Sequence, residues 1–317
     1  MKTTFIKSIR PGDSVNDVFV VCDKTLYRKK DGTPYISMVL GDKTGYMRAV
    51  VWDNAKAIYD SVGVDDYVMV EGDVTEYRDS LQITVRGMHR CDKSQVQRRD
   101  FIPSTEKDIE HMMDRLMQVV SAVQNVYLKK LLDAFFNDHE FVERFKTAPA
   151  AKKMHHAYIG GLLEHSLSVA ILIEAVANHF KGVDRDLLLT AGILHDVGKI
   201  FEFHYETHID YTDAGRLLNH IVIGVELVEK RMSTIKDFPQ ELSLLLKHMI
   251  VSHHGIRDFG SPEPPKTLEA VILNYIDELD SKINGIKGFI NGEDSGSSWT
   301  SYHRILERRF YKGSSEN

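Results

Sequence analysis

Residues 190–199 read TAGILHDVGK, an apolar helical run that ends in a histidine–aspartate pair followed by glycine and lysine. Two other apolar helical stretches are each interrupted by one metal-binding side chain, His165 in GGLLEHSLSV and Asp277 in LNYIDELD. A His-Asp dipeptide alone occurs by chance and carries no weight. The interior of a helix bundle, however, collects side chains from facing helices. The three stretches together can therefore bring His165, His195, Asp196 and Asp277 to one divalent cation.

Four buried polar side chains with no ligand are the alternative interpretation of this pattern. An unpaired buried polar group costs about 1–3 kcal/mol by mutational measures, and a buried charge costs more. The chain also has 15 histidines, many of them between residues 155 and 254, and metal or proton-transfer sites gather histidines. The sequence therefore predicts a metal centre. Its expected catalytic groups are Asp196 and Lys199, the lysine through a substrate phosphate or the leaving group.

The composition is that of a soluble globular protein. Of the 317 residues, 43% are hydrophobic and 27% are charged, and no apolar run approaches the roughly 18–20 residues that cross a bilayer, so no membrane partner is expected. The net charge of −6 argues against a protein that coats duplex nucleic acid by bulk electrostatics. The start of the chain lacks the pattern of a secretory signal, and Cys22 and Cys91 form no CxxC motif. We therefore expect a cytoplasmic protein with reduced thiols.

The amino-terminal residues 1–90 have the pattern of a small β barrel. A short helical patch, Asn54–Asp60, interrupts a series of five apolar or alternating runs and follows the third of them. The runs are Val18–Leu26, Tyr35–Leu40, Met47–Trp52, Tyr67–Thr75 and Leu81–Val85. Five strands with a helix after the third is the order of an OB-fold barrel. The stretches DKTGYMRAVVWD and VMVEGDVTEYRDSLQITV also resemble the OB-fold nucleic-acid-binding family.

A polar, basic stretch follows the barrel, and helical periodicity follows that stretch. Apolar residues recur with a period near 3.6 up to about residue 290, and a last helix is expected at Tyr302–Arg309. The main predicted helices are Leu162–Ala177, Leu187–His195, Leu217–Arg231, Leu242–Val251 and Leu268–Asn284. The chain is thus predicted to be an α+β multidomain protein. It would comprise a five-stranded OB-fold barrel over 1–92, a linker over 93–104 and an all-helical domain over 105–317.

The ordered set formed by His165, the His195-Asp196 pair and Asp277 resembles the HD-domain phosphohydrolase superfamily. The resemblance implies an all-α bundle in which these four residues bind a divalent metal. In members with two metals, further histidines complete a second site and the aspartate of the pair bridges both ions. A bridging carboxylate suits two cations about 3.5–4 Å apart. The implied second-site ligands are His220, His253 and His254.

Longer stretches are similar to one branch of that superfamily, the YhaM-type 3′-5′ exoribonucleases, over nearly the whole chain. They are KKMHHAYIGGLLEHSLSV (152–169), YTDAGRLLNHIVIG (211–224) and SHHGIRDFGSPEPPKTLEAVILNYIDELDSK (252–282). The resemblance implies release of 5′-mononucleotides from single-stranded RNA, or DNA, with Mn²⁺ as the usual metal. It also implies that His155 and His156 contact substrate phosphate or orient a ligand, with core packing as the alternative. Asn219 departs from the family's usual glycine but leaves His220 in place.

The predicted barrel offers side chains that suit single-stranded nucleic acid, which stacks bases on aromatic rings and places phosphates near cations. Lys29 and Lys30 fall in the loop between the first two predicted strands, a loop that OB-folds use for nucleic acid. Burial in the barrel core is the alternative for Trp52 and for each tyrosine, and a solvated hairpin tip is the alternative for the basic run. The expected contacts are Lys24, Arg28, Lys29, Lys30, Tyr35 and Trp52, with Tyr27, Tyr77 and Arg48 as further candidates.

The leading hypothesis is a metal-dependent 3′-5′ exoribonuclease that cleaves single-stranded RNA or DNA by a two-metal mechanism. One alternative is a small-molecule phosphodiesterase or nucleotidase whose barrel mediates assembly. Another is a non-catalytic nucleic-acid-binding scaffold with an inactive HD domain, which the presence of every expected ligand opposes. A mixed imidazole–carboxylate site also accepts Fe²⁺, Co²⁺, Ni²⁺, Zn²⁺ or Mg²⁺, so Mn²⁺ rests on the resemblance. A homo-oligomer is compatible with the sequence.

Overall fold

The computed structural model describes residues 2–78, 80–152, 156–293 and 296–313, with the backbone alone at Phe259. The chain divides into two compact units. The barrel unit contains the residues up to 104 together with 204–210, and the helical unit contains 105–203 and the residues from 211 onward. The predicted α+β architecture, a five-stranded barrel followed by a helical domain, is confirmed.

The barrel has five strands, and α1 (Ala55–Ser61) follows the third. The strands are β1 (Ser14–Arg28), β2 (Pro34–Asp42), β3 (Gly45–Val51), β4 (Tyr67–Tyr77) and β5 (Ser80–Arg90). They close in the order β1-β2-β3-β5-β4, and β3 and β5 pair in parallel whereas the other neighbours are antiparallel. Successive side chains of a strand point to opposite faces. The core therefore takes every second residue, such as Ile36, Met38 and Leu40 of β2, all buried.

Residues 93–104, predicted to be a linker, instead pack against the barrel. Phe101 is only 3% exposed, and its ring centroid lies 4.6 Å from that of Tyr67. Ile102 is buried as well. Burying one such side chain is worth about 1.5–3 kcal/mol, so two apolar residues fix a segment whose composition is otherwise that of a linker.

Residues 204–210 belong to the barrel unit although helical sequence flanks them on both sides. The guanidinium of Arg98 donates to the carbonyls of Tyr205 at 2.7 Å and Glu206 at 3.1 Å. The hydroxyl of Thr207 donates to the carboxylate of Asp65. These hydrogen bonds make the segment an integral part of the barrel unit.

The helical unit contains α2 to α10, and two short strands, β6 (Phe203–His204) and β7 (Asp210–Tyr211), lie between α7 and α8 in the chain. The helices are α2 (Ile109–Ser121), α3 (Val126–Phe136), α4 (His139–Thr147), α5 (Gly161–His179), α6 (Arg185–Leu194), α7 (Lys199–Glu202), α8 (Asp213–Met232), α9 (Gln240–Ser252) and α10 (Leu268–Asn291). Several begin at a side chain that accepts a backbone N–H, including Asp184 before α6, Thr212 before α8 and Thr267 before α10. Such caps set where each helix starts.

Helix α5 is the central helix of this unit. Contrary to the expectation from the sequence, its length and composition would allow it to cross a bilayer, but 56% of its most apolar window is buried inside the protein. It also carries the buried polar residue His165, and it packs against α2, α4, α6 and α10. A helix that is apolar on all sides suits the middle of a domain.

The last helix predicted at Tyr302–Arg309 is wrong. Residues 296–313 instead form a hairpin, here called the C-terminal hairpin, held by the bridges Trp299↔Tyr311 and His303↔Arg308. The amide of His303 also donates to the carbonyl of Arg308 at 2.8 Å, a pairing between two segments that a helix would not make. Within the described residues, the domain predicted to be all-helical therefore also contains this hairpin.

Candidate metal centre

The ends and middles of five helices bring ligand-type side chains to one buried point in the helical unit. His165 lies on α5 and Asp277 on α10, and the other side chains lie at or just beyond helix ends or after a break in α8. All seven side chains assigned to the metal centre from the sequence come together: His165, His195, Asp196, His220, His253, His254 and Asp277.

One group of ligand atoms is formed by two imidazoles and two carboxylates. The Nε2 atom of His165 lies 3.2 Å from Nε2 of His195, 3.2 Å from Oδ1 of Asp277 and 3.5 Å from Oδ2 of Asp196. The Nε2 atom of His195 lies 3.4 Å from the same Asp196 oxygen. Four donor atoms from three parts of the chain thus face one point, which we call the first group.

A second group is formed by three further imidazoles. The Nε2 atom of His220 lies 3.1 Å from Nε2 of His254 and 3.5 Å from Oδ1 of Asp196. The Nε2 atom of His253 lies 3.6 Å from that Oδ1. The two oxygens of Asp196 therefore face different groups of imidazoles.

The tautomers of four of the histidines are set by hydrogen bonds on the side away from the centre. In each, Nδ1 lies within hydrogen-bonding distance of an oxygen that can only accept, so Nδ1 donates to that oxygen and Nε2 is the nitrogen left for a metal. The four pairs are His165 with Asp280 (2.8 Å), His195 with the Gly192 carbonyl (2.8 Å), His220 with Glu202 (3.1 Å) and His253 with the Ile250 carbonyl (2.6 Å). The Nε2 atoms of these four histidines therefore face the two groups of ligand atoms.

Two atoms in this cluster are buried without a hydrogen-bond partner among the described residues, Oδ1 of Asp196 and Nε2 of His253. Leaving one such atom unsatisfied costs about 1–3 kcal/mol, and more when it is charged. A cation between them would satisfy both. Because imidazole nitrogens and carboxylate oxygens are ligands of divalent metals, the residues present fit a divalent-metal site.

The two groups differ in protonation. Burial lowers the pKa of His253 well below its usual range, and the neighbouring His254 lowers it further. Burial also lowers the pKa of His254 to about 4. Burial would lower the pKa of His195 in the same way, but the carboxylates of Asp196 and Asp277 raise it to about 10. His253 and His254 thus offer neutral imidazoles, whereas a cation that binds His195 displaces a proton.

Lys199 lies against the shared carboxylate. Its Nζ donates to Oδ2 of Asp196 at 2.6 Å, and the side chain is buried. The preceding Gly198 makes this approach feasible, because a Cβ there would lie 2.0 Å from the carbonyl oxygen of His220. The glycine and lysine of the HDVGK run therefore have a joint role, since one permits close packing and the other places a cation at the centre.

Asp280 holds His165 in place from behind. Its Oδ2 accepts from Nδ1 of His165 and lies 3.1 Å from Nε2 of His156, while Oδ1 accepts from Ser168 and from Asn284. Burial raises the pKa of this carboxyl, but the hydrogen bonds from His156 and His165 outweigh burial and lower it. Asp280 is therefore an ionised anchor for a metal ligand.

His156 has an orienting position. Its Nδ1 lies 2.7 Å from the hydroxyl of Tyr158, and its Nε2 faces Asp280. The Tyr158 hydroxyl in turn donates to Glu164 at 3.0 Å. Of the two roles implied by the resemblance, these contacts favour support of the ligand His165 over contact with substrate phosphate. His155 lies outside the described residues.

Asp280→Asn is expected to weaken metal binding by about 10- to 100-fold, the usual effect of losing an outer hydrogen-bond partner of a ligand. The amide keeps the shape but loses the charge that fixes the His165 proton at Nδ1. Titration of the purified protein with Mn²⁺ against a competing chelator measures the effect. Asp114→Asn, at an exposed position on α2, is the matched control, and equal affinities in the two variants would contradict the anchoring role.

Asn219 breaks α8 immediately before the ligand His220. Its backbone angles, φ 66° and ψ 155°, lie in a region that is essentially reserved for glycine and costs about 1–3 kcal/mol for other residues. Its Oδ1 accepts from the amide of Ile221 at 3.1 Å and so restarts the helix. The surroundings hold the strained turn in place, because the backbone amide and the ring of His220 both bond to Glu202.

Asn219→Gly is expected to stabilise the fold by about 1 kcal/mol, since the strain it relieves exceeds the cap and chain entropy that it loses. The melting temperature should rise by about 2–4 °C, with metal content unchanged. Asn178→Gly, the same change in the regular helix α5, should lower the melting temperature. A fall of similar size in both variants would show that Asn219 is not strained.

A cleft of about 470 Å³ opens beside the centre, within the size range of small-ligand sites. Its lining combines cations, an aromatic ring and two of the ligands: Lys152, Lys199, Arg216, Tyr211, His220 and His254. Lys152, Arg216 and the orienting residue Glu202 were not predicted from the sequence. Lys152 and Arg216 lie within the stretches quoted for the family resemblance, so a search of those stretches for cations could have found them.

The barrel unit carries an aromatic ladder on its outer surface, formed by Tyr27, Tyr35 and Trp52. The ring centroids of Tyr27 and Tyr35 are 5.5 Å apart and those of Tyr35 and Trp52 are 5.0 Å apart, with interplanar angles of 24° and 28°. Nζ of Lys29 lies 4.8 Å from the Trp52 ring centroid. Tyr27 is 47% and Trp52 38% exposed, so these rings are not core residues. Exposed Arg28 and Lys30 belong to the same loop region.

Lys24 has a different environment from the one expected. Its Nζ donates to the carbonyl of Tyr59 at 2.6 Å and to that of Val62, and it lies over the Tyr59 ring. These carbonyls end α1, so the ammonium caps that helix. The contacts favour a structural role for Lys24 over contact with a phosphate.

The fold and the centre define a class of protein, an HD-domain hydrolase with an amino-terminal OB-fold. The HD domain family matches residues 162–282, and the OB-fold nucleic acid binding domain family matches residues 20–90. A third model, which describes a helicase family, matches residues 103–180. The 3′-5′ exoribonuclease YhaM of Geobacillus sp. (strain WCH70) is 32% identical over 302 residues, which cover 95% of this chain and 92% of that protein. The chain belongs to the YhaM family of 3′-5′ exoribonucleases.

Two solved structures are similar to part of the chain. The second OB-fold domain of replication protein A from Methanococcus maripaludis is 26% identical, with a TM-score of 0.24, and the match covers 28% of this chain and 95% of that one. A small single-stranded DNA-binding protein from Streptomyces coelicolor is 15% identical, with a TM-score of 0.23, over 27% of this chain and 97% of that one.

Proposed function

We propose that this protein is a metal-dependent 3′-5′ exoribonuclease that releases 5′-mononucleotides from single-stranded RNA, with two divalent cations, preferably Mn²⁺, at its centre. One observation carries the proposal. The carboxylate of Asp196 lies between two groups of imidazole nitrogens, and one of its oxygens and Nε2 of His253 are buried without a hydrogen-bond partner among the described residues. The name of the Geobacillus relative supports the 3′-5′ direction of hydrolysis and RNA as the substrate.

We expect two cations, one on each side of Asp196 and each held by a different set of residues. His165, His195 and Asp277 with one Asp196 oxygen would hold one cation, and the second group with the other oxygen would hold the next. Cations held there supply Lewis acidity toward phosphoryl oxygens and lower the pKa of water. Asp280 and Glu202 keep the imidazoles correctly oriented, so that the ligands need no rearrangement.

The side chains of the cleft would position the terminal nucleotide. Arg216 can bind phosphate oxygens with two parallel N–H groups, whereas Lys152 offers a compact charge. Lys199, already buried beside the centre, would stabilise the negative charge that grows on the phosphate oxygens, and a fixed cation is most effective where water is excluded. Tyr211 offers a ring face for the base or ribose. Holding the phosphodiester in one orientation is itself a large part of the rate enhancement.

The aromatic ladder of the barrel unit would hold the rest of the strand. Each base stacked on an aromatic ring contributes about 1–3 kcal/mol with little sequence preference. Lys29, beside Trp52, and Lys30 would lie near the phosphates. This division gives the barrel the role of binding and the helical unit the role of hydrolysis.

Incubation of 5′-labelled single-stranded RNA with the protein and Mn²⁺ tests the proposal. The expected products are labelled fragments that shorten stepwise, together with 5′-mononucleotides, because removal begins at the unlabelled end. A circular RNA of the same sequence should remain intact. Faster turnover of a cyclic nucleotide or nucleoside triphosphate than of the oligonucleotide would instead favour the small-molecule phosphodiesterase.

We also propose that the protein acts in the cytoplasm. Cys91 is a free thiol, which is typical of proteins in a reducing compartment. Fractionation of cells that express a tagged chain tests this, and recovery in the membrane or secreted fraction would contradict it.

A further inference from the structure

We propose that the C-terminal hairpin, residues 296–313, is a second binding surface for single-stranded RNA, carried by the helical unit itself. The inference rests on the proposed function only in taking RNA as the strand that is bound. The barrel has its own aromatic ladder, so each unit would carry an aromatic surface for the strand, in addition to the cleft beside the metal centre.

The hairpin is a fixed structure with a defined inner face. The ring of His303 packs edge-on against Phe289 of α10 at 4.6 Å, and Phe310 lies against both rings. The amide of Thr300 donates to the carbonyl of Phe310, and the amide of Phe310 donates to the Thr300 hydroxyl, both at 2.9 Å. The amide of Leu306 donates to Nδ1 of His303 at 3.1 Å and closes the turn. The inner side is therefore anchored to α10.

The outer face exposes large aromatic rings. Trp299 is 49%, Tyr302 53% and Tyr311 60% exposed, and the centroids of the Trp299 and Tyr311 rings are 5.2 Å apart. Their planes are inclined by 57°, so each ring offers its own face rather than one continuous stack. Single exposed apolar residues are ordinary, but a cluster of them on a small ordered element indicates a binding surface.

The charge of the hairpin identifies the kind of partner. Its 18 residues include four cations, Arg304, Arg308, Arg309 and Lys312, against one carboxylate, Glu307, which gives a net charge of +3 in a chain whose total is −6. The exposed guanidiniums of Arg304 and Arg309 make no ion pair within the described part of the chain. An anionic partner is therefore favoured.

Single-stranded RNA fits this combination better than a protein does. Bases stack on isolated ring faces, arginines contact phosphates and also stack, and sequence is not required. A stable protein interface buries roughly 1,200–2,000 Å² in total, whereas this surface consists of three rings and four cations on one small hairpin. The surface suits a few nucleotides of a strand.

RNA binding by the full chain, measured by fluorescence anisotropy in chelator so that no hydrolysis occurs, tests the proposal. Trp299→Ala with Tyr311→Ala should raise Kd by at least about fivefold, the lower end for the removal of one base stack. Arg304→Gln with Arg309→Gln should reduce the slope of log affinity against log salt by about 0.7 for each phosphate that is no longer neutralised. Phe180→Ala and the pair Lys181→Gln with Lys236→Gln, all exposed in the same unit, are the matched controls and should change neither quantity.

The outcomes separate this proposal from the proposed function. Unchanged Kd and salt slope in both hairpin variants overturn the RNA surface, even if the wild type degrades RNA. Weakened binding in these variants supports it, even if no RNA is degraded when Mn²⁺ is added. A change in oligomeric mass on size-exclusion chromatography with unchanged RNA affinity would show a protein interface instead. Turnover of a small chromogenic phosphodiester should be the same in all variants, because none of the changed residues lines the centre.

Discussion

Asp196→Asn is expected to lower RNA hydrolysis by more than about 10³-fold. The asparagine keeps the shape of the side chain but removes a negative charge that faces both groups of imidazoles. Cations held at such a centre stabilise the transition state by several kcal/mol, and each 1.36 kcal/mol corresponds to a tenfold change in rate. The rate of RNA shortening with saturating Mn²⁺ and the metal content by elemental analysis are the measurements.

The substitution also leaves Lys199 without its ion-pair partner, and a buried charge that loses its partner destabilises a protein by about 3–5 kcal/mol. Thermal unfolding must therefore show that the variant is folded at the assay temperature. Asp114→Asn, which removes an exposed carboxylate, should leave activity and metal content unchanged. Full activity and full metal content in Asp196→Asn would remove the basis for a shared carboxylate.

Tyr35→Ala combined with Trp52→Ala is expected to weaken binding of single-stranded RNA by about 10²–10³-fold. The ladder would lose its central and outer rings, and the removal of two base stacks at about 1–3 kcal/mol each accounts for the size of the effect. Turnover of a small chromogenic phosphodiester should not change, because the ladder belongs to the barrel unit. Fluorescence anisotropy with labelled RNA in the presence of a chelator measures the Kd for RNA. The chromogenic assay measures turnover of the small phosphodiester.

The control for the ladder is Tyr275→Ala, which removes an equally large ring that is 66% exposed on α10. Lys29→Ala with Lys30→Ala is a companion variant, in which the salt dependence of RNA affinity should fall by about 0.7 for each phosphate that these lysines no longer neutralise. If the ladder variant reduced turnover of the small substrate as strongly as it reduced RNA affinity, the division between binding and hydrolysis would be wrong.

Much of the fold follows from local patterns. Alternating apolar residues predicted all five barrel strands, and a period near 3.6 predicted the helices that carry the ligands, because each pattern spans a single element. The side chains of the first group were also predicted from the sequence, since few residue types bind metals and these lie within an apolar helix or at the end of one. The three second-group histidines rested on family resemblance, and the structure places them beside Asp196.

Some predictions differ from the structure because a distant contact outweighs local composition. The polar stretch 93–104 suggested a linker, but Phe101 packs against the Tyr67 ring. Lys24 was predicted to contact phosphate, but its ammonium group donates hydrogen bonds to two carbonyls at the end of α1. The expected helix at Tyr302–Arg309 is a hairpin, because Phe289 of α10 gives His303 and Phe310 a surface on which to pack.

The sequence by itself determined that an HD centre follows an OB-fold and which side chains can bind metal, because helices, strands and short motifs are encoded by neighbouring residues. Only the tertiary structure decided which side chains surround the aspartate of the HDVGK run. Oδ2 of Asp196 faces His165 and Oδ1 faces His220, and both depend on helices far apart in sequence. Asp280 and Glu202 fix the protons of those two histidines from behind, because hydrogen bonds depend on where side chains meet in space.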